Sequence, residues 1–202
     1  MNKAILISIR SEHLVNILNG TKTLELRKSV PKDFKGWVYI YCTKGRKDVL
    51  YKYKDKYYTN HYLTFTDCVE VLNSKVVAMF WFDDYIKLDY EDTYSDEFYW
   101  RNSIISGKEL EKATCLSQYD IVDYGKKKPL YAWHIKQLEI FDTPKELSEF
   151  YKTNISYIGI SEIEYALDYY GKEKVDNILK YSLKRPPQSW QYVYIKEWLY
   201  GK

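Results

Sequence analysis

The segment Val76–Phe82 consists of seven apolar residues in a row, VVAMFWF. Successive side chains of a strand point to opposite faces, so this segment presents apolar groups on both faces. A strand of this kind has to be covered on both sides, which places it inside a sheet. We expect it to begin a long strand over residues 75–88 and to form the centre of the core.

Shorter elements surround this strand in the sequence. Apolar or aromatic runs predict further strands at residues 4–10, 37–43, 129–141 and 190–195, and alternation predicts a half-buried strand at 21–28. Apolar spacing and capping residues predict helices at 12–19, 96–105, 108–113, 161–170 and 172–181. Gly20 ends the first helix, and Thr143 is expected to cap a helix that starts after it.

The composition favours one domain. The chain has 202 residues, of which 46% are hydrophobic and 18% aromatic, enough to bury a sizeable core. We therefore predict a single α+β domain over residues 1–202. It carries a basic, Tyr-rich insertion at about residues 45–73 and a helical C-terminal extension at about 152–186.

Charge and cysteine content exclude several classes of function. A net charge of +3 is too small for an electrostatic grip on long duplexes. Three cysteines without CxxC spacing indicate neither a disulfide framework nor a zinc site. No stretch is apolar enough to cross a membrane, and no leader is evident. We expect a cytoplasmic protein without a metal, a cofactor or a membrane partner.

Residues 20–27, GTKTLELR, concentrate polar chemistry in eight positions. In a strand, Glu25 and Arg27 lie on one face about 7 Å apart, so the carboxylate can orient the guanidinium toward a phosphate or a base edge. Lys22, at the junction with the preceding helix, can approach the same space. The same residues would also form an ordinary surface salt bridge.

The pattern Gly20, Lys22, Glu25, Arg27, which is G-x-K-x-x-E-x-R after a strand and a helix, resembles the signature of the ASCH domain family. The resemblance extends to WVYIYCT at residues 37–43 and to YAWHI and DTPKEL between residues 131 and 147. PQSWQYV at residues 187–193 is similar to the tail of phage or prophage-type members.

The resemblance implies a PUA-like β-barrel of mixed, mostly antiparallel strands with flanking helices, and a cleft that binds RNA or a modified nucleotide. Carried over by position, Lys22, Glu25 and Arg27 would line this cleft, and Thr43 would add a polar contact. Trp190 would stack on a base or, equally, close the barrel.

An enzyme is the alternative to a binding module. Some ASCH relatives are amidohydrolases of N4-acetylcytidine that use the signature Lys and a Thr three residues later, whereas Glu25 stands at that position here. Others are metal-dependent ribonucleases. In a hydrolase of this chain, Lys22 and Glu25 would be the candidate proton-transfer groups. Asp83 and Asp84 are interpreted as the end of a strand, with a divalent-ion site as the alternative.

Two further questions stay open from the sequence. Trp133 and His134 lie on opposite faces of a strand, so only one of them faces the cleft; His134 is interpreted as a structural residue and, alternatively, as an acid or base. The insertion at 45–73 could also serve a mobile-element protein that binds a host protein.

Overall fold

The computed structural model describes residues 3–45, 48–60, 69–92, 98–101, 104–153 and 182–195. These residues form thirteen strands, three α-helices and a short 3-10 helix at Leu147–Glu149. The strands are β1 (Ala4–Ile9), β2 (Leu24–Arg27), β3 (Gly36–Cys42), β4 (Val49–Tyr53), β5 (Lys56–Asn60), β6 (Glu70–Val71), β7 (Val76–Phe82), β8 (Tyr85–Asp92), β9 (Phe98–Arg101), β10 (Leu130–His134), β11 (Lys136–Lys145), β12 (Phe150–Lys152) and β13 (Trp190–Ile195). The helices are α1 (Ser11–Leu18), α2 (Gly107–Thr114) and α3 (Gln118–Gly125). The chain is a mixed α+β protein with more sheet than helix.

The largest sheet has six strands in the order β11-β7-β3-β1-β13-β12. β1 and β3 run parallel, with α1 and β2 in the connection between them, and the other pairs described in this sheet are antiparallel. β7 lies between β3 and β11, and five of its seven residues are buried. The prediction that VVAMFWF forms an internal strand is confirmed.

A second sheet contains β2, β10, β8 and β9 in that order. One of its faces packs on α2 and α3 around Leu26, Leu110 and Ile121. Its other face contributes Trp133 to the main core, which also contains Phe80 of the six-stranded sheet. The main core therefore lies between the two larger sheets.

The third sheet is small and has the order β5-β4-β6. It covers α1, since Leu50 of β4 and Tyr57 of β5 are buried in the same core as Leu14 and Ile17 of the helix. This sheet is formed by the predicted insertion; residues 46–47 and 61–68 of that insertion lie outside the described residues.

The strand pairs of the described residues give three open sheets and do not close into the barrel that the sequence predicted. In the same part of the chain, no helix is long and apolar enough to span a bilayer.

Two predicted strands are each divided in the structure. The segment 75–88 breaks at Asp83 and Asp84, where Asp84 Oδ1 accepts a hydrogen bond of 2.8 Å from the backbone N–H of Tyr85. A side-chain acceptor of this kind competes with the strand ladder, so β7 stays in the first sheet and β8 joins the second. The segment 129–141 also divides, at Ile135, into β10 and β11.

Two helix predictions are wrong. Residues 98–101 of the predicted 96–105 helix form β9 and pair with β8, in keeping with the strand preference of the sequence FYW. Thr143 caps no helix, because β11 continues to Lys145. Pro144 is tolerated there because β11 is an edge strand whose register shifts between Ile140 and Lys145.

The remaining helices divide into three groups. The helices predicted at 12–19 and 108–113 are confirmed as α1 and α2, whereas α3 was not predicted. The predicted helices at 161–170 and 172–181, and most of the proposed extension at 152–186, lie outside the described residues.

Candidate functional site

The end of α1 fixes the position of the G-x-K-x-x-E-x-R segment. Gly20 has a φ of +73°, a left-handed conformation that glycine adopts without steric cost. The backbone N–H groups of Thr21 and Lys22 both donate to the carbonyl of Asn16, at 2.9 and 3.0 Å. The helix end therefore holds Lys22 just before β2, with its side chain only 3% exposed.

Lys22, Glu25 and Arg27 form one ion network, called the β2 triad below. Lys22 Nζ lies 3.0 Å from Glu25 Oε2, and Arg27 Nη2 lies 3.0 Å from Glu25 Oε1. Arg27 Nη2 also donates to the backbone carbonyl of Ser8 in β1, at 2.8 Å. One carboxylate is thus shared by two cations, and the network joins the second sheet to the first.

The β2 triad is buried. Lys22, Glu25 and Arg27 are 4%, 6% and 7% exposed, so the network is not the surface salt bridge that the sequence also allowed. All four residues of β2 are buried, whereas the sequence predicted a half-buried strand. Because helices α2 and α3 cover the Leu24 and Leu26 face, the polar face points into the space between the two larger sheets.

Glu25 is ionised in this environment. Burial by itself would raise its pKa, but the charges of Lys22 and Arg27 and the contact with the Lys22 ammonium outweigh this effect and hold the pKa below its ordinary value of 4.5. At neutral pH the β2 triad carries two positive charges and one negative charge.

Two buried N–H groups beside the triad lack a partner. Arg27 Nε and Trp133 Nε1 make no hydrogen bond to any described residue. Trp133 pairs directly with Glu25 across β10 and β2, so its indole lies on the face of the triad. A buried donor left unpaired costs about 1–3 kcal/mol. Both donors are therefore suited to an oxygen acceptor that enters the site.

Two titratable side chains near the triad were missed by the sequence reasoning. Burial, followed by the charge of Lys22, lowers the pKa of His13 below its ordinary value of 6.5, so the imidazole is neutral at pH 7. Burial raises the pKa of Tyr124, and the charges of Arg27 and Glu25 also act on this phenol. His13 lies one helical turn before the core residue Ile17, which was the available signal that it faces inwards.

A group of packed aromatic rings lies beside the triad. Trp133 is fully buried and packs on Phe82 and Trp190, with ring centroids 4.9 and 5.9 Å away. Trp190 is half-buried, and its indole N–H donates to Ser29 Oγ at 3.0 Å. Tyr192 packs edge-on against Trp190 at 5.7 Å. Trp190 therefore lies next to Trp133, on the same side of the site.

Trp133, and not His134, faces the β2 triad. His134 pairs with Leu24, whose side chain belongs to the core under α2 and α3. Thr43 lies at the end of β3, where its N–H donates to Ile9 and its carbonyl accepts from Asn73 Nδ2. None of the contacts described for Thr43 connects it to the triad.

Asp83 and Asp84 directly follow the end of β7, and Asp83 forms an ion pair of 2.9 Å with Lys136. They lie on a separate cavity of about 650 Å³ between residues 30–35 and 82–85, whose lining does not include the triad. No group of three or more His, Cys, Asp or Glu side chains suited to a metal ion occurs within the described ranges.

No protein-family model and no curated protein matches this chain. Solved structures of an ASCH protein from Zymomonas mobilis are similar to it. One of them is 15% identical with a TM-score of 0.48, over 95% of this chain and 87% of that chain. A point mutant of the same protein is 15% identical with a TM-score of 0.49, over 97% and 94%.

Proposed function

We propose that this chain is an ASCH-type, PUA-like binding module that captures an oxygen-bearing group of RNA or of a modified nucleotide at the β2 triad. The observation that carries the proposal is a buried network with an excess of one positive charge beside two unpaired N–H donors, Arg27 Nε and Trp133 Nε1.

The physical reason is the cost of an unbalanced buried charge. Desolvation of an ion costs several kcal/mol unless an opposite charge and hydrogen bonds compensate. Glu25 compensates one of the two cations. A phosphate oxygen or a base carbonyl would accept hydrogen bonds from the two free donors. A phosphate would also balance the charge of the second cation, and charge-assisted bonds of this kind are short and strong.

The depth of the site favours a single inserted nucleotide. Side chains that are at most 8% exposed cannot follow the backbone of a duplex lying on the surface. Proteins that read one base take it out of the stack and hold it against aromatic side chains. Trp133 and Trp190 lie on the appropriate side for this purpose.

The hydrolase alternative is weaker at this site. Its candidate base, Glu25, has both carboxylate oxygens in contact with cations and a lowered pKa, which makes it a poor proton acceptor. Membership of a phage-type branch and a cytoplasmic location remain predictions from the sequence.

The test is a calorimetric titration of nucleoside monophosphates and RNA trinucleotides, normal and modified, into wild type and Lys22→Met. Losing the excess positive charge that a phosphate would balance should weaken binding roughly tenfold or more. Lys152→Met, at an exposed position of β12, is the control with the same change in net charge. Equal affinity of the two variants would contradict the proposal.

A further inference from the structure

The small sheet on α1 has two different faces. In its antiparallel ladders Leu50 pairs with Thr59 and Lys52 pairs with Tyr57, and this inner face buries Leu50 and Tyr57 against the helix. The outer face holds the alternate residues. It carries the cross-strand pairs Tyr51–Tyr58, Tyr53–Lys56, Val49–Asn60 and Tyr51–Val71.

The sheet is firmly anchored. The Asn19 side chain donates to the Tyr57 carbonyl at 2.9 Å and accepts from the Tyr57 N–H at 3.2 Å. Asn73 Oδ1 accepts from the N–H of Leu50 at 2.7 Å. The outer face is therefore held in place by polar contacts as well as by the core, and it does not have to be ordered when a partner binds.

Aromatic rings dominate the outer face. Tyr51 and Tyr58 lie side by side, with ring centroids 5.8 Å apart and planes 24° from parallel. Tyr58 is 41% exposed and Tyr53 is 46% exposed. We call Tyr51, Tyr53 and Tyr58 the tyrosine face. Large aromatic groups left in solvent on a rigid sheet mark a surface for a partner.

The charges beside the tyrosine face are mainly positive. Lys56 lies on the face itself, and Lys54 in the adjoining turn places its Nζ 5.4 Å from the ring centroid of Tyr53. Asp55 is the acid of the same turn. The described strand residues that point to this side include no carboxylate, because Glu70 pairs with Lys52 on the other face.

We infer that the tyrosine face binds single-stranded nucleic acid, with bases stacked on its rings and phosphates beside Lys54 and Lys56. Sheet-borne aromatic rings flanked by cations are suited to a single strand, whose bases are free to stack, and not to a duplex, whose bases are already stacked. The excess of cations among the described residues of this side complements a phosphate backbone. This surface is separate from the β2 triad, so the inference goes beyond the proposed function.

The experiment measures fluorescence anisotropy of a labelled twelve-nucleotide single strand and of its duplex over a salt series. Loss of one stacked base at each of two rings predicts that Tyr53→Ala/Tyr58→Ala binds the single strand roughly 30-fold or more weakly. Tyr53→Phe/Tyr58→Phe should bind like wild type because it keeps the rings. Tyr119→Ala, which removes a tyrosine that is 83% exposed on α3, should also leave affinity unchanged.

Salt dependence and the β2 triad provide independent readouts. Lys54→Gln/Lys56→Gln should reduce the slope of log affinity against log salt by about 0.7 for each lost phosphate contact. The double alanine substitution should weaken single-strand binding in the Lys22→Met background as well, because it changes a separate surface. Undiminished binding by the double alanine variant would overturn the inference and leave the face to a protein partner. An equal loss in the phenylalanine variant would also overturn it, because hydroxyl contacts and not stacking would then carry the affinity.

Discussion

Replacing Glu25 by glutamine should destabilise the protein strongly, because two buried cations share this one carboxylate. Removing one partner of a buried ion pair typically costs about 3–5 kcal/mol, a large part of the roughly 5–15 kcal/mol that stabilises a domain. For a chain of this size, each kcal/mol lowers Tm by about 2–4 °C, so we expect a decrease of about 6–20 °C.

Lys22→Met should behave differently, although it removes a charge from the same network. It leaves Glu25 and Arg27 as a neutral pair at 3.0 Å and puts an apolar side chain of similar length in a buried position. Replacing a whole buried ion pair by apolar groups is often neutral or stabilising, and Lys22→Met likewise leaves no uncompensated buried charge. We therefore expect Lys22→Met to destabilise the protein by clearly less than the roughly 3–5 kcal/mol expected for Glu25→Gln.

Urea unfolding followed by tryptophan fluorescence measures both variants, and Glu139→Gln at an exposed position of β11 is the matched control. The control should lie within about 0.5 kcal/mol of wild type. The reasoning is refuted if Lys22→Met costs as much as Glu25→Gln, or if Glu25→Gln cannot be distinguished from the control.

Three further outcomes follow from single residues. Burial by itself would raise the pKa of Glu25, but Lys22 and Arg27 together hold this pKa below 4.5. The ionised carboxylate therefore contributes stability above pH 4.5, and this contribution is lost as the pH falls through the pKa of Glu25 in the folded state. The urea midpoint of wild type should fall more steeply in acid than that of Glu25→Gln. Gly20 has a φ of +73° with no atom within 4 Å of an added Cβ, so Gly20→Ala should cost only the backbone strain of about 1 kcal/mol, and Gly20→Asn less, in the same urea assay. Burial raises the pKa of the Cys42 thiol to about 12, whereas Cys115 is exposed, so mass spectrometry after thiol labelling of the native protein should find Cys115 modified and Cys42 protected.

The strands that the sequence predicted best are those made mostly of apolar or aromatic residues. β1, β7 and β13 are of this kind, with Ser8 and Gln191 as the polar residues among them, and a segment rich in apolar groups has to be covered wherever it lies in the chain. Strand ends were less predictable. The backbone crosses from one sheet to another at Asp83 and Asp84. Where one strand ends and the next begins at such a crossing depends on the partner strands, which the local sequence does not reveal.

The errors in helix prediction have a local cause. Thr143 followed by Pro144 has the pattern of a helix start, but β11 pairs with β7 as far as Lys145, and long-range hydrogen bonds overrode the local preference. The failure to predict helix α3 was avoidable. Ser117 and Asp120 form a capping box that was legible in the sequence and marks the start of α3.

For the candidate site, the sequence identified the three members of the β2 triad and their common neighbourhood. It did not predict their burial, because burial depends on the sheet that faces β2 and on the backbone carbonyl of Ser8, which accepts from Arg27. The lowered pKa of His13 depends on how α1 orients this side chain toward Lys22, and that orientation is also set by tertiary packing.

The most direct test of the proposed capture site is an NMR titration that follows the indole N–H of Trp133 and the Nε–H of Arg27, assigned with Trp133→Phe and Arg27→Lys. On addition of the nucleotide that binds best in calorimetry, both resonances should move to saturation together, because both donors gain an acceptor. A nucleotide that binds while both resonances stay in place, or a complete panel that fails to bind, would contradict the account.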